Sequence, residues 1–182
     1  MSSGLGRSLL GIVILLIYLF LYPAGEVAGN GGIKTYFSPN GDCEKKIIGE
    51  IDKAKRSIHI AMFSFTNGRI ARALVRAYKQ GIKIKVIMNR KNAQDRYSKY
   101  RFLKNKGISV KFKEGPYKNN RGDKTGLMHN KFAIIDGKTI ITGSYNWTTS
   151  AEKWNHENLL VISSFRVAKL FEKEFRKLWK EK

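Results

Sequence analysis

The sequence specifies an α/β fold, a mixed β-sheet flanked by helices. Three observations lead there. Short apolar runs rich in β-branched residues alternate with helical periodicities from residue 31 onward, the signature of strands joined by crossover helices. The run at 57–65, SIHIAMFSF, is too apolar for a surface strand and reads as a central one. Near Asp136-Gly137, two apolar runs are separated only by a turn dipeptide, a hairpin signal that makes part of the sheet antiparallel.

The elements follow in order. Residues 34–37 form a short strand closed by the turn cluster Ser38-Pro39-Asn40-Gly41. Residues 42–54 place Ile47, Ile48 and Ile51 on one helical face. After the central strand, Asn67 caps a helix that runs to Gln80, with Ile70, Ala71, Leu74 and Tyr78 inward and Gly81 as its stop. Residues 82–88 alternate as a strand, 95–106 read as a basic helix ended by Gly107, and 108–112 as a strand. Residues 115–126 are a basic loop of turn residues. Strands at 131–135 and 139–142 make the hairpin, another follows at 158–163, and an amphipathic helix at 165–179 closes the chain. There is no internal repeat.

Composition bounds the function. Apolar residues are 42% and charged residues 27%, which excludes a disordered tail and a multi-pass membrane protein. Thirty-five Lys and Arg face fourteen Asp and Glu, a formal net charge of +21 that calls for a polyanionic partner, nucleic acid or an anionic membrane surface. From Lys85 to Lys124 there are thirteen Lys and Arg against three acids, interleaved with Tyr97, Tyr100, Phe102, Phe112 and Tyr117. That stretch suits a groove for a phosphate backbone with one or two stacking rings, or else a lysine-rich surface over core aromatics. Cys43 is the single cysteine, so no internal disulfide or multi-cysteine zinc site can form.

Residues 1–29 stand apart. Arg7 precedes an apolar run at 9–22 broken only by Gly11, and Pro23, Ala24 and Gly25 end it. This is the layout of a signal peptide with Val27-Ala28-Gly29 as cleavage site. The alternative is an N-terminal membrane anchor, although a helix over 9–24 rises only roughly 24 Å against a hydrocarbon core of roughly 30 Å. Both readings place the body at 30–182 outside the cytoplasm, periplasmic or secreted, with membrane association through residues 9–24 if they are retained.

The chemistry lies in HNKFAIIDGKTIITGSYN at 129–146. His129, Lys131 and Asp136 are spaced H-x-K-x4-D, and Gly143, Ser144 and Asn146 follow as G-S-x-N. Roughly one chain of this length in a hundred would match the first pattern by accident, and the second at fixed spacing removes chance as an explanation. Residues two apart on a strand share a face, so His129 sits beside the Lys131 cation, and Ser144 and Asn146 repeat the arrangement. Imidazole, ammonium, hydroxyl and amide together suit a phosphoryl group. His59, inside the apolar strand, reads as packing, and His156 has no place in the pattern.

With HxKxxxxD and GSxN in place, the chain resembles the phospholipase D superfamily. It is most similar to the single-motif branch of bacterial periplasmic endonucleases and mitochondrial membrane-anchored relatives, over roughly residues 33–180. The resemblance implies a phospholipase D-type α/β fold and phosphodiester cleavage through a phosphohistidine, with neither metal nor cofactor. It makes His129 the catalytic histidine and has Lys131 and Asn146 bind phosphate, with Ser144 in support. Glu157, in Asn155-His156-Glu157-Asn158, matches the acid that orients the histidine. Asp136, although part of the catalytic signature, reads as structural. The mechanism needs two histidines and the chain carries one HxK motif, so a homodimer with a two-fold axis through the site is implied. The expected substrate is DNA or RNA cut without sequence preference. The rivals are a phospholipase acting on head groups or cardiolipin, and a non-catalytic nucleic-acid-binding or DNA-uptake component.

Overall fold

The computed structural model describes residues 32–123 and 126–181. The expected signal or anchor segment, and Lys124 and Thr125 of the glycine-rich loop, lie outside the described residues. Seven strands form one sheet in the order β1-β7-β6-β5-β2-β3-β4. They are β1 (Ile33–Ser38), β2 (Ser57–Met62), β3 (Lys83–Asn89), β4 (Ser109–Lys113), β5 (Lys131–Ile135), β6 (Thr139–Gly143) and β7 (Glu157–Ser163). The helices are α1 (Cys43–Asp52), α2 (Gly68–Lys79), α3 (Arg90–Ala93), α4 (Tyr100–Asn105), α5 (Thr149–Lys153) and α6 (Phe165–Lys180). β2, β3 and β4 are parallel, and β2-β5-β6-β7-β1 are antiparallel neighbours, so the sheet is mixed as expected. No helix among the described residues is long and apolar enough to cross a membrane.

The alternation of β2 divides the core. Ile58, Ile60 and Met62 face one side, where they pack with Ile47 and Ile51 of α1 and Ile70 and Leu74 of α2. Ala61 faces the other, with Ile87, Phe132, Ile134 and Ile140 beneath Ala168 and Phe175 of α6. His59 also faces α6: its ring stacks on Phe175 at 4.7 Å, and its Nδ1 lies 2.9 Å from Glu172 Oε1. The packing role expected for His59 fits this placement. At the C-terminus of α6, the Lys111 ammonium donates to Trp179 O at 2.8 Å and Lys113 to Glu181 O. Lys85 and Lys111 also stand 5.4 and 4.9 Å from the Trp179 ring centre. Cations at a helix C-terminus oppose the negative end of its dipole. Three lysines of the basic stretch therefore hold α6 in place.

The structure corrects several expectations. The helix expected over 95–106 is only α4, at 100–105, and an unexpected short helix, α3, precedes it at 90–93. Asn89 caps α3, and between the helices Asp95 accepts from the Tyr97 amide and Ser98 from that of Tyr100. Short polar side chains that bond nearby amides compete with helix continuation. Tyr78 is not buried but 38% exposed, its ring against Gly107. The central strand ends at Met62 rather than Phe65, because Phe63 onward bonds to loops instead of the ladder. α5 was not expected. Thr148 caps it by accepting from the Ala151 amide.

Asp136 lies at the turn, one end of the hairpin. Its carboxylate accepts from the backbone amides of Lys55, Arg56 and Ser57 at 2.8, 2.7 and 3.0 Å. The Arg56 guanidinium donates to its carbonyl at 2.8 Å. Burial would raise the carboxyl's pKa, but the three amides and Arg56 overcome that and hold it below its usual value. These bonds clamp the hairpin turn to the start of β2.

Asp136→Ala leaves three amides at the start of β2 without their acceptor and should cost about 2–4 kcal/mol in urea unfolding at pH 7. Because the folded pKa is depressed, the clamp's contribution is complete above the ordinary carboxyl value of 3.8. It should fade as pH falls below that, through the folded pKa. An Asp136→Asn protein should show a shallower loss of stability over that acid range.

Candidate active site

The candidate site lies at the opposite end of the hairpin, where β5 begins beside the end of β2, with Lys131 paired to Met62. Beyond Met62 the chain ties two loops together. The Phe63 amide donates to Asn130 O at 2.9 Å, and the next amide, of Ser64, donates to Asn146 Oδ1 at 3.3 Å. Ser64 O accepts from the Trp147 amide, while Thr66 and Asn67 amides donate to Trp147 O. Trp147 and Phe65, both buried, meet edge to face at 5.0 Å. Tyr145 is buried and donates its hydroxyl to Glu152 at 2.7 Å. The apolar side chains of GSYNW thus anchor a loop that leaves Ser144 and Asn146 at the surface side.

His129 is exposed, its ring packed edge-on against Phe63 at 4.4 Å. The Lys131 ammonium lies 3.3 Å from each imidazole nitrogen, donates to His129 O at 3.0 Å, and stands 5.2 Å above the Phe63 ring. The strand geometry expected of H-x-K is thus realised at a strand end, with His129 just outside β5. Burial, then the neighbouring Lys131 charge, holds the imidazole below its usual pKa. Burial also lowers the Lys131 ammonium, opposed by Glu157. The first shift favours a neutral imidazole at neutral pH, and on Lys131 the Glu157 charge opposes the loss of its proton.

Ser144 and Glu157 form a latch. Ser144 Oγ donates to Glu157 Oε2 at 2.6 Å and accepts from the Asn158 amide at 3.0 Å. The Asn158 side chain accepts from the Ser144 amide, and Asn155 holds the other Glu157 oxygen at 3.1 Å. Gly143 is needed here. Its φ is 146°, and a Cβ would fall 2.2 Å from Asn158 O. Ser144, expected in support of the phosphate-binding residues, gives its one proton to Glu157, so in this arrangement it positions. Glu157 was expected to orient the histidine. Among the described residues its bonds go to Ser144 and Asn155, and its charge acts on Lys131. Asn146, fixed through Oδ1 by Ser64, leaves its amide nitrogen as a donor.

His129, Lys131, Ser144, Asn146 and Glu157 are therefore gathered on loops and strand ends at one end of the sheet, and Asp136 is not with them. Phe63, Ser64 and Asn158 were missed. Asn158 stood beside Glu157 in the quoted stretch, whereas Phe63 gave no signal beyond its place in an apolar run. Of the expected stacking rings, Phe102 and Phe112 pack on the core, while Tyr97 and Tyr117 are 58% and 65% exposed. Among the described residues no three of His, Cys, Asp and Glu are grouped as a metal site.

A family model described as "Cardiolipin synthase, PLD-like domain" matches residues 47–179, across both the HxK and GSxN loops. The chain belongs to the phospholipase D superfamily. A phospholipase D of Rickettsia conorii is 34% identical over 139 residues, 76% of this chain, and this chain spans 65% of that protein's length. A mitochondrial cardiolipin hydrolase of Xenopus laevis is 30% identical over 136 residues, 75% of this chain and 60% of that one. Among solved structures, Nuc from Salmonella typhimurium, a phospholipase D family member, aligns with a TM-score of 0.73 at 29% identity, covering 82% of this chain and 95% of that one. NucT from Helicobacter pylori aligns at 0.78 and 28% identity, covering 83% and 97%. The superfamily fold expected from the motif is the one observed.

The His129 imidazole, followed by NMR, should titrate below its usual value of 6.5. Lys131→Ala should raise that midpoint without fully restoring it, because burial is the larger cause. A midpoint unmoved by Lys131→Ala would separate the two groups. Gly143→Ala should break the Ser144–Asn158 contact and lower both stability, by more than about 1 kcal/mol, and turnover.

Proposed function

We propose that the protein is a metal-independent phosphodiesterase of the phospholipase D superfamily, acting on nucleic acid without sequence preference. The observation that carries this is the neutral-leaning His129 imidazole with the Lys131 ammonium 3.3 Å from both its nitrogens. In the first step an imidazole nitrogen attacks phosphorus, the bond to the leaving oxygen breaks, and a protonated histidine supplies that oxygen's proton. In the second, the same histidine takes a proton from water, which displaces the enzyme histidine from phosphorus. Lys131 and the Asn146 amide bind the non-bridging oxygens as charge develops. Glu157, held by Ser144 and Asn155, keeps Lys131 charged.

The second histidine comes from another copy of the chain. His156 is exposed but no lysine follows it at the HxK spacing, and His59 is committed to Glu172 beneath α6. In the homodimer we propose, His129 of the partner subunit supplies the acid. Nucleic acid is favoured by the surroundings. Lys118 and Arg121 are exposed on the loop preceding His129, with Tyr117 beside them.

The alternative, a phospholipase, has one supporting observation. A groove of about 460 Å³ beside His129 is lined partly by Pro116, Leu127, Met128 and Leu178, with Leu127 51% exposed. Glu114, Glu174, Glu181, Lys113 and Lys177 share its walls, which suits acyl chains poorly. The N-terminal layout fits a protein that works outside the cytoplasm.

In EDTA, the protein should cleave single-stranded and duplex nucleic acid at full rate and release little choline from phosphatidylcholine. Ready lipid cleavage with nucleic acid intact at low salt reverses the assignment. Affinity for nucleic acid should fall with salt at a slope of about −0.7 to −0.9 per contacted phosphate, with roughly four or more contacts. His129→Ala should abolish turnover, and Lys131→Ala should cost about a hundredfold or more. Heterodimers of wild-type and His129→Ala subunits should be nearly inactive. Half the wild-type rate in such heterodimers would mean that each chain works alone.

A further inference from the structure

The sheet end opposite the candidate site carries an open cavity of about 1150 Å³, lined by the starts of β2 and β3, the hairpin turn and one side of α6. Its rim is cationic. Lys55, Lys83, Lys169 and Lys173 are exposed, and none forms an ion pair among the described residues. The carboxylates there are already committed, Asp136 to three backbone amides and Glu172 to His59 and Arg176. Between the cations stand two large apolar side chains in contact with solvent, Phe165 at 64% and Leu170 at 66% exposed. Leu170 offers nothing to a base or phosphate. Apolar side chains ringed by lysines are the chemistry of a surface that inserts shallowly among anionic head groups.

Topology supplies a second, independent pointer. β1 starts at this same end, where Ile33 pairs with Ile162 and the Ser163 amide donates to Gly32 O at 3.0 Å. The apolar run at 9–22 precedes that point in sequence, and the nine residues 23–31 can span at most about 30 Å. A bilayer holding that run would lie within reach of this end of the sheet. The His129 end is removed from it by the length of β5, roughly 17 Å of strand.

We propose that this basic and apolar face docks onto an anionic phospholipid bilayer, with Phe165 and Leu170 in the interface, and so turns the His129 site away from that bilayer. The docking does not depend on which phosphodiester the site cleaves.

The test places a single environment-sensitive fluorophore on the full-length protein by Leu170→Cys. The native Cys43 will not compete, because it is fully buried and burial, with Glu152 nearby, pushes its thiol up to about 11. A matching Trp154→Cys protein marks the candidate-site end, where Trp154 is 73% exposed. Both are reconstituted into vesicles of phosphatidylcholine alone or of equal parts phosphatidylglycerol and phosphatidylcholine. The position-170 label should shift to the blue and be quenched by a nitroxide lipid in the anionic vesicles only. High salt or Lys169→Glu with Lys173→Glu should abolish the effect, and the position-154 label should stay aqueous throughout. Hydrolysis of a soluble phosphodiester by the Lys169→Glu, Lys173→Glu protein should be unchanged, so loss of docking and loss of catalysis are read separately.

A position-170 label that remains aqueous on anionic vesicles overturns the proposal. So does equal burial of the position-154 label. Protection of position 170 by an oligonucleotide in detergent, without anionic lipid, would make the face a nucleic-acid surface instead. A shift that appears without anionic lipid as protein concentration rises would make it an interface between copies of this chain.

Discussion

The pairing of β5 against β2 is the constraint on which the rest depends. Its register puts Lys131 opposite Met62 and Ile135 opposite Ile58, and both ends are pinned. At one, the Asp136 carboxylate closes on the amides of residues 55–57, and at the other the Phe63 amide bonds Asn130 O. Because side chains alternate along a strand, a slip of one residue would turn Phe132 and Ile134 away from α6 and carry Lys131 to the wrong face. The two ends of one five-residue strand thus hold a structural clamp and the candidate site apart, which is why the H-x-K-x4-D signature is contiguous in sequence and divided in space.

The strands and most helices could be read from the chain because their signals are local. The apolar run of β2 and the Asn67 cap of α2 needed no knowledge of distant residues. The short helices were harder. At α3 and α4 the choice between helix and turn rests on bonds from Asn89, Asp95 and Ser98 to nearby amides, each worth little by itself. The gathering of His129 with Lys131 was legible from spacing alone, and that of Ser144 and Asn146 from the second motif. The Ser144–Glu157 latch was not, since a hydroxyl's donor goes to whichever acceptor the fold brings near. Nor was Phe63, whose role under His129 and Lys131 appears only when β2 and β5 are paired.

The large basic surplus is divided rather than spread. Lys85, Lys111 and Lys113 hold the C-terminus of α6, so part of the 85–124 stretch serves the fold. Lys118 and Arg121 are exposed on the loop that precedes His129, and Lys55, Lys83, Lys169 and Lys173 occupy the other end of the sheet. Net charge is an argument about the class of partner in general. Only the distribution separates cations that neutralise a helix end from those presented to solvent.

The Asp136 clamp also bears on the order in which the chain acquires its shape. It joins residues 79 to 81 positions apart, and the latch depends on Asn158, nearer the C-terminus still. The parallel strands β2 to β4 and their helices can condense from contacts closer in sequence, but the hairpin has no partner to close on until that scaffold stands. Loop-closure entropy makes such distant contacts late ones. During synthesis, His129 and Lys131 would emerge before the residues that set the latch, so the candidate site is incomplete until β7 is in place.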